Sequence, residues 1–375
     1  MARKSTQPPD WVIGALTLSL LFFGWVILYS ASALVAESRY GDQYFFLKKQ
    51  MLWSCLGMAA LLAALRVKMS FVQRLARPLF VVELVFLVLV LVVGHEVAGG
   101  RRWLRLAGFG FQPSEFAKLA LVLVLADFLD RKKSRLGEFK SGFLPPMVLV
   151  GLVLGLIALE RDLGTPMLIA MVSLGLIYLA GARYRHLLAL VLAGLPVVYY
   201  AIFSVAYRRE RFFTFLDPWK NPQGTSYQLV QSLLAIGSGG FWGRGSGEST
   251  IKMYYLPEAQ TDFVFSILGE ELGFVGASLL VLLFLLLVLR CYQVAIKASN
   301  WFETLVAAGI SLMLGGQVLI NLGVVTGLLP TKGIPLPFVS FGGSSLLVTM
   351  AAIGLVLNIS RRAGEGVALQ RRQLL

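Results

Sequence analysis

The chain has 375 residues, 57% of them hydrophobic and only 14% charged, with a formal net charge of +14. This composition lies outside that of soluble domains and excludes a soluble two-domain enzyme. The basic residues sit between apolar runs instead of forming one stripe, so the charge reads as membrane topology signals and argues against nucleic acid as a partner.

A helix needs roughly 20 apolar residues to cross ~30 Å of hydrocarbon. Against that length the chain predicts an all-α integral membrane protein with ten transmembrane helices, at 12–35, 45–65, 79–94, 113–129, 143–159, 163–180, 187–206, 263–289, 303–329 and 338–359. Residues 1–375 read as a single polytopic membrane domain. The first run is too long for a removable signal peptide and lacks the small-residue cleavage site, so the first helix is expected to stay in the membrane. Glu83 interrupts the third run, and Glu115 and Lys118 the fourth. With the N-terminus inside, the inner loops carry 19 Lys and Arg against 14 outside, six of those in one long segment. The positive-inside rule then puts both termini in the cytoplasm, and Trp11, Trp103 and Trp301 fit an interfacial belt. The long segment, 207–261, is expected to be an extracytoplasmic loop. It is rich in aromatic residues, its stretch 227–236 has the apolar spacing of a short amphipathic helix on or dipping into the membrane, and a glycine-rich turn follows at 237–247. Residues 361–375 form a basic tail. Cys55 and Cys291 lie in or at the end of apolar runs and support neither a disulfide framework nor a thiolate metal site.

Ionisable residues within such runs are costly and point to function. Glu115 and Lys118 are three apart, share a helix face and can neutralise one another, either as a structural pair or in substrate handling. Arg101 and Arg102, after Gly99 and Gly100, stand where a phosphate at headgroup level could be gripped, although solvated loop charges would read the same. Glu160-Arg161-Asp162 forms a charged outward turn in which Asp162 could simply cap the sixth helix. Asp262, at the end of the long loop, is an acid at a membrane–water boundary, with a helix N-cap as the plainer reading. Glu270 and Glu271 lie roughly 12–14 Å deeper along that helix, which implies a polar interior that partners them. Lys332 sits in a loop stiffened by Pro330, Pro335 and Pro337. The following Gly342-Gly343-Ser344-Ser345 either allows close helix packing or brings N–H groups to an anion. His95 and His186 are too far apart to suggest a metal site.

Gly-Gly-Arg-Arg-Trp with Gln-Pro-Ser-Glu-Phe-Ala-Lys, Asp162-Leu-Gly-Thr, Tyr227-Gln-Leu-Val-Gln-Ser, Leu256-Pro-Glu-Ala-Gln-Thr-Asp-Phe, and Lys332-Gly with Ser340-Phe-Gly-Gly-Ser-Ser occur in that order. Together, over nearly the whole chain, they closely resemble the SEDS family of FtsW and RodA peptidoglycan glycosyltransferases. Leu329-Pro-Thr-Lys-Gly looks more like FtsW, the division member. The resemblance implies polymerisation of lipid II, an undecaprenyl-pyrophosphate-linked disaccharide pentapeptide, at the outer face of the bacterial cytoplasmic (inner) membrane, at the division septum. It implies as partners a class B penicillin-binding protein transpeptidase (FtsI-like) and other divisome membrane proteins. Asp262 falls on the family's essential aspartate, Glu115 and Lys118 on its fourth-helix pair, and Asp162 on its second outer-side acid. Two departures stand out: Gln260 replaces the usual His before Thr-Asp, and Glu160-Arg161 replace the usual Gln-Pro.

Forming the β1,4 link needs one positioned base and cationic partners for a leaving pyrophosphate. Asp262 is expected to be the base. Arg101, Arg102, Lys118 and Lys332 are candidate pyrophosphate contacts, with Glu115, Asp162 and Ser344 as further substrate-binding candidates. A divalent cation, Mg or Mn, could supply part of that positive charge. A lipid II flippase, or a noncatalytic division scaffold that has no need of Asp262 as an acid, would use the same helices and loop.

Overall fold

The computed structural model describes residues 8–97, 100–106, 109–162, 164–249 and 260–362. Helices dominate: α1 Trp11–Tyr40, α2 Phe45–Arg66, α3 Met69–Val93, α4 Pro113–Arg131, α5 Leu144–Leu159, α6 Gly164–Leu179, α7 Tyr184–Phe203, α8 Ala206–Leu216, α9 Tyr227–Gly239, α10 Val264–Ile296, α11 Trp301–Val325 and α12 Gly343–Ser360. Every predicted apolar run coincides with a helix, and among the described residues six helical stretches, one of them 139–159 with α5 in it, are long and apolar enough to cross a membrane by length and composition. Local chemistry sets several boundaries. Asp10 caps α1 by accepting from the N–H groups of Val12 and Ile13, and Gly41 closes it at φ 67°. Pro113 opens α4, where its missing N–H costs nothing.

Four features differ from the sequence reading. Between α3 and α4 the chain forms a small antiparallel sheet, β1 His95–Val97, β2 Gly100–Leu106 and β3 Phe109–Phe111, in the order β1-β2-β3. The predicted inner loop before residue 79 is largely helical, because α3 starts at Met69 and carries Pro78 within its length. The last two runs are shorter than predicted: α11 stops at Val325 and α12 starts at Gly343, since three prolines in 326–342 deny that stretch helical hydrogen bonds. Finally, α10 is broken at Gly273.

Burial orders the bundle. In the apolar windows of α11 and α12, 78% and 89% of residues are buried, against 22–39% for α1, α3, α10 and the 139–159 stretch that contains α5. So α11 and α12 are central, and the others present apolar side chains such as Phe22 and Val85 outward, as lipid-facing surfaces do. α11 packs against α4, α6 and α10, and α12 against α2. At the α12–α2 crossing, a Cβ on Gly354 would stand 2.4 Å from the Leu61 carbonyl, so only glycine permits this approach.

Candidate functional site

The stretch 326–342 has no regular structure, so its backbone groups need partners from elsewhere. Asn321 of α11 donates from Nδ2 to Ile334 O at 2.8 Å and to Asp262 O at 2.9 Å. Gln317, one turn earlier on the same face, donates to Pro335 O at 2.9 Å. Gln50 of α2 donates to Ser340 O at 3.3 Å, and the Phe341 N–H donates to Gln260 O at 2.9 Å. The result is a loop tied down beside the start of α10. A Cβ on Gly333 would stand 2.7 Å from Asp262 Oδ2, so the carboxylate rests against bare loop backbone. A Cβ on Gly164, the first residue of α6, would stand 3.4 Å from that of Lys332. Asp262, half-buried, thus meets the Lys332–Gly333 loop, and the N-terminus of α6 abuts the same loop.

Asp162 caps α6: its Oδ1 accepts from Gly164 N at 2.9 Å and Thr165 N at 3.3 Å, and its Oδ2 from the Thr165 hydroxyl at 2.9 Å. Asp162 thus takes the helix-capping place, at the end of α6 that abuts the Lys332 loop. Lys118 and Glu115 form a buried ion pair at 2.7 Å, and Lys118 Nζ also donates to Gln317 Oε1 at 3.4 Å. Gln317 in turn donates to Ser345 Oγ at 3.4 Å. Ser344 accepts from Gln112 N at 3.2 Å and donates to Gly110 O at 3.4 Å, pinning the start of α12 to the entry of α4. The N-termini of α4, α6, α10 and α12 therefore gather around one loop, and their aligned peptide dipoles make this end of the bundle attractive to anions.

Arg101 and Arg102 are adjacent on β2, so their side chains leave opposite faces of the strand. Arg101 is exposed. Arg102 donates from Nη2 to Arg161 O at 2.7 Å and from Nε to Glu160 O at 3.3 Å, fastening the sheet to the turn before α6. Beneath it, Glu160 is only 1% exposed and neither carboxyl oxygen has a hydrogen-bond partner. Burial, with the neighbouring Asp162 charge, pushes its pKa up to about 8, against a smaller opposing effect of Arg102.

The deep acids of α10 are held by the glycine-rich turn after α9. At Gly273 the backbone takes φ 62°, ψ −162°, a conformation open essentially to glycine alone. The groups freed by this break pair with the turn: Arg244 N donates to Glu270 O at 3.0 Å, Gly245 N to Glu271 O at 3.0 Å, Phe274 N to Gly240 O at 3.0 Å and Val275 N to Phe241 O at 3.2 Å. Glu270 accepts from Ser249 and lies 3.5 Å from Arg244, while Glu271 accepts from Ser30 at 2.5 Å. The polar interior expected around these acids is present. Within the Leu256-to-Phe263 motif, residues 256–259 lie outside the described residues, as do Gly99 and Leu163.

Sequence reasoning missed Gln50, Gln317 and Asn321. The signal for the last two was available: two amide side chains four apart in an otherwise apolar helix, on one face. Among the described residues there is no group of three or more His, Cys, Asp and Glu that could hold a metal ion.

The FtsW/RodA/SpoVE family, described as "Cell cycle protein", matches residues 11–365. The chain is 43% identical over 361 residues to the "Probable peptidoglycan glycosyltransferase FtsW" of Geobacter sulfurreducens (strain DL-1 / KN400), covering 96% of this chain and 97% of that protein. It is 42% identical over 363 residues to "Stage V sporulation protein E" of Bacillus subtilis (strain 168), covering 96% and 99%. Among solved structures, a chain of a peptidoglycan synthase complex that coordinates polymerization and crosslinking superposes with a TM-score of 0.79 at 33% identity, covering 94% of this chain and 98% of that one. The rod shape determining protein RodA of Thermus thermophilus superposes with a TM-score of 0.70 at 31% identity, covering 94% and 97%.

Proposed function

Because the chain belongs to the FtsW/RodA/SpoVE family of cell cycle proteins, we propose that it is a peptidoglycan glycosyltransferase. In this reading it polymerises lipid II at the outer face of the bacterial cytoplasmic membrane, for septal wall synthesis in cell division. The observation that carries the reading is the meeting of Asp262 with the Lys332–Gly333 loop at the end of the bundle where four helix N-termini gather. One acid against a loop that carries a cation, in a field that favours anions, suits a reaction that removes a proton at one atom and releases a pyrophosphate at another.

Asp262 takes the proton of the acceptor sugar's 4-hydroxyl as that oxygen attacks the anomeric carbon of the donor. The pyrophosphate leaves with the bonding electron pair, and Lys332, the α6 N-terminus and the exposed Arg101 balance its charge. Gln260 offers no imidazole, so the proton goes to the Asp262 carboxylate. Glu115 and Lys118 act behind the site, through Gln317, while Arg102 and Ser344 hold the sheet and α12 in register. A divalent cation, Mg or Mn, bridging the pyrophosphate could supply further positive charge beside these side chains and helix ends.

Both termini are assigned to the cytoplasm, which the surplus of basic residues on inner loops supports. Residues 207–261 then form the extracytoplasmic loop, with 361–375 as the cytoplasmic tail. The likeness to a chain of a peptidoglycan synthase complex supports a class B penicillin-binding protein transpeptidase as partner, alongside other divisome membrane proteins.

The test is purified protein in liposomes with labelled lipid II. Wild-type protein yields glycan chains, and Asp262→Asn, which keeps shape but cannot take the proton, loses at least ~10²-fold in rate while remaining folded. Near-normal synthesis by Asp262→Asn removes Asp262 as the base. Lipid translocation without chains by the wild type would identify a flippase, and neither activity a scaffold.

A further inference from the structure

We propose that Asn321 is a positioning residue for the reaction: its side-chain amide ties the backbone of Asp262 to the loop that bears Lys332 and Gly333, and so sets base and cation against one another. The inference rests on the glycosyl-transfer reading above. Asn321 Nδ2 donates to Asp262 O at 2.9 Å and to Ile334 O at 2.8 Å. The side chain is 1% exposed and its Oδ1 takes no partner, so its hydrogen bonding is spent wholly as a donor to these two carbonyls.

Neither bridged segment lies in a helix or strand, so no regular ladder fixes one against the other. The Phe341 N–H joins the two segments at Gln260 O, and one amide on α11, the helix at the centre of the bundle, joins them at Asp262 itself. Gln317 extends the support along the same face. It holds Pro335 O and Ser345 and accepts from Lys118, so the buried Glu115–Lys118 pair reaches the site through α11. A base must be held to within a fraction of an ångström of the proton it removes, and misplacement by about 1 Å costs about 10²-fold in rate. Lipid II binding draws on many other contacts, including those of its lipid chain, so loss of this register falls on turnover and spares affinity.

Asn321→Asp keeps the shape but offers at most one donor where two carbonyls need it. In liposomes with labelled lipid II, kcat should fall at least about 10-fold while KM stays within about twofold of wild type. Gly333→Ala tests the same register without touching α11, because its methyl would press within 2.7 Å of Asp262 Oδ2; it should show the same kcat-only loss. Wild-type kcat in Asn321→Asp overturns the proposal. So does a loss that appears only as fewer folded molecules, with kcat per folded molecule unchanged. Should Asn321→Asp fail to fold, Gly333→Ala decides: a kcat-only loss supports the proposal and wild-type kcat overturns it. A wild-type protein that makes no glycan would instead overturn the glycosyl-transfer reading itself, and this inference with it.

Discussion

Glu160 shows how one side chain can set a pH dependence. In the folded protein burial keeps its carboxyl protonated up to about 8, whereas an unfolded chain releases the proton near the ordinary Glu value, about 4.3. Folding therefore takes up a proton between those values. The stabilisation is full below the lower value, declines as pH rises through the window and is gone above the upper one. Glu160→Gln has no such titration. Its advantage in thermal midpoint over the wild type should grow between about pH 5 and about pH 9, and a constant difference across that range would show that Glu160 is not the group responsible. Glu115 and Lys118 illustrate a second rule at the same scale. They are both about 95% buried and paired at 2.7 Å, so removing either one strands a charge and should cost about 3–5 kcal/mol, more than removing both would suggest from the sum. A double-mutant cycle of the two alanine variants, read by thermal unfolding, measures this coupling, and strict additivity would refute it.

Among the elements, α10 depends most on a residue that its hydropathy does not reveal. Its apolar run reads as one continuous helix, yet Gly273 breaks it, and the turn after α9 supplies hydrogen bonds to the freed groups. The break lets Glu270 and Glu271 meet Arg244, Ser249 and Ser30 within the bundle. Gly273→Ala would place an L-residue at φ 62° and its Cβ 2.3 Å from Gly243 N. It should destabilise by about 1–3 kcal/mol or more, visible as a lower thermal midpoint in detergent. Gly151→Ala, whose Cβ meets open space, should be nearly neutral in the same assay. The small sheet is the other element with a positional role. Gly100 sits where a Cβ would stand 2.6 Å from Glu160 O, so β2 lies directly on the turn before α6, and Arg102 locks it there.

Over the whole molecule, polar contacts mark both ends of the bundle as well as its interior. Asp10 N donates to Ser360, Arg290 pairs with Asp10 at 2.9 Å, and Arg362 lies 3.6 Å from Glu303; Asp262, Lys332, Asp162 and Ser344 lie where α4, α6, α10 and α12 begin. In a background with Cys55 and Cys291 replaced, a membrane-impermeant maleimide added outside cells should label Arg101→Cys and leave Arg362→Cys untouched; the reverse pattern would invert the proposed orientation. The sequence by itself determined the helical membrane class, the position of each apolar run and the polar residues placed at run ends, because the cost of exposing polar groups to hydrocarbon writes those features into composition and spacing. It also singled out the Glu115–Lys118 pair as charge where charge is expensive, while Asp262 and Lys332 stood out through the family motifs that carry them. Only the tertiary structure decided which of these meet. The loop 326–342 keeps only local turns of its own, such as Ser340 N to Leu336 O at 3.0 Å, and its course is fixed by amides of α2 and α11. Likewise Arg101 and Arg102, adjacent in sequence, part to opposite faces once β2 forms, and the break at Gly273 is legible only from the turn that fills it. These are long-range pairings of backbone groups with side chains, and no local periodicity encodes them.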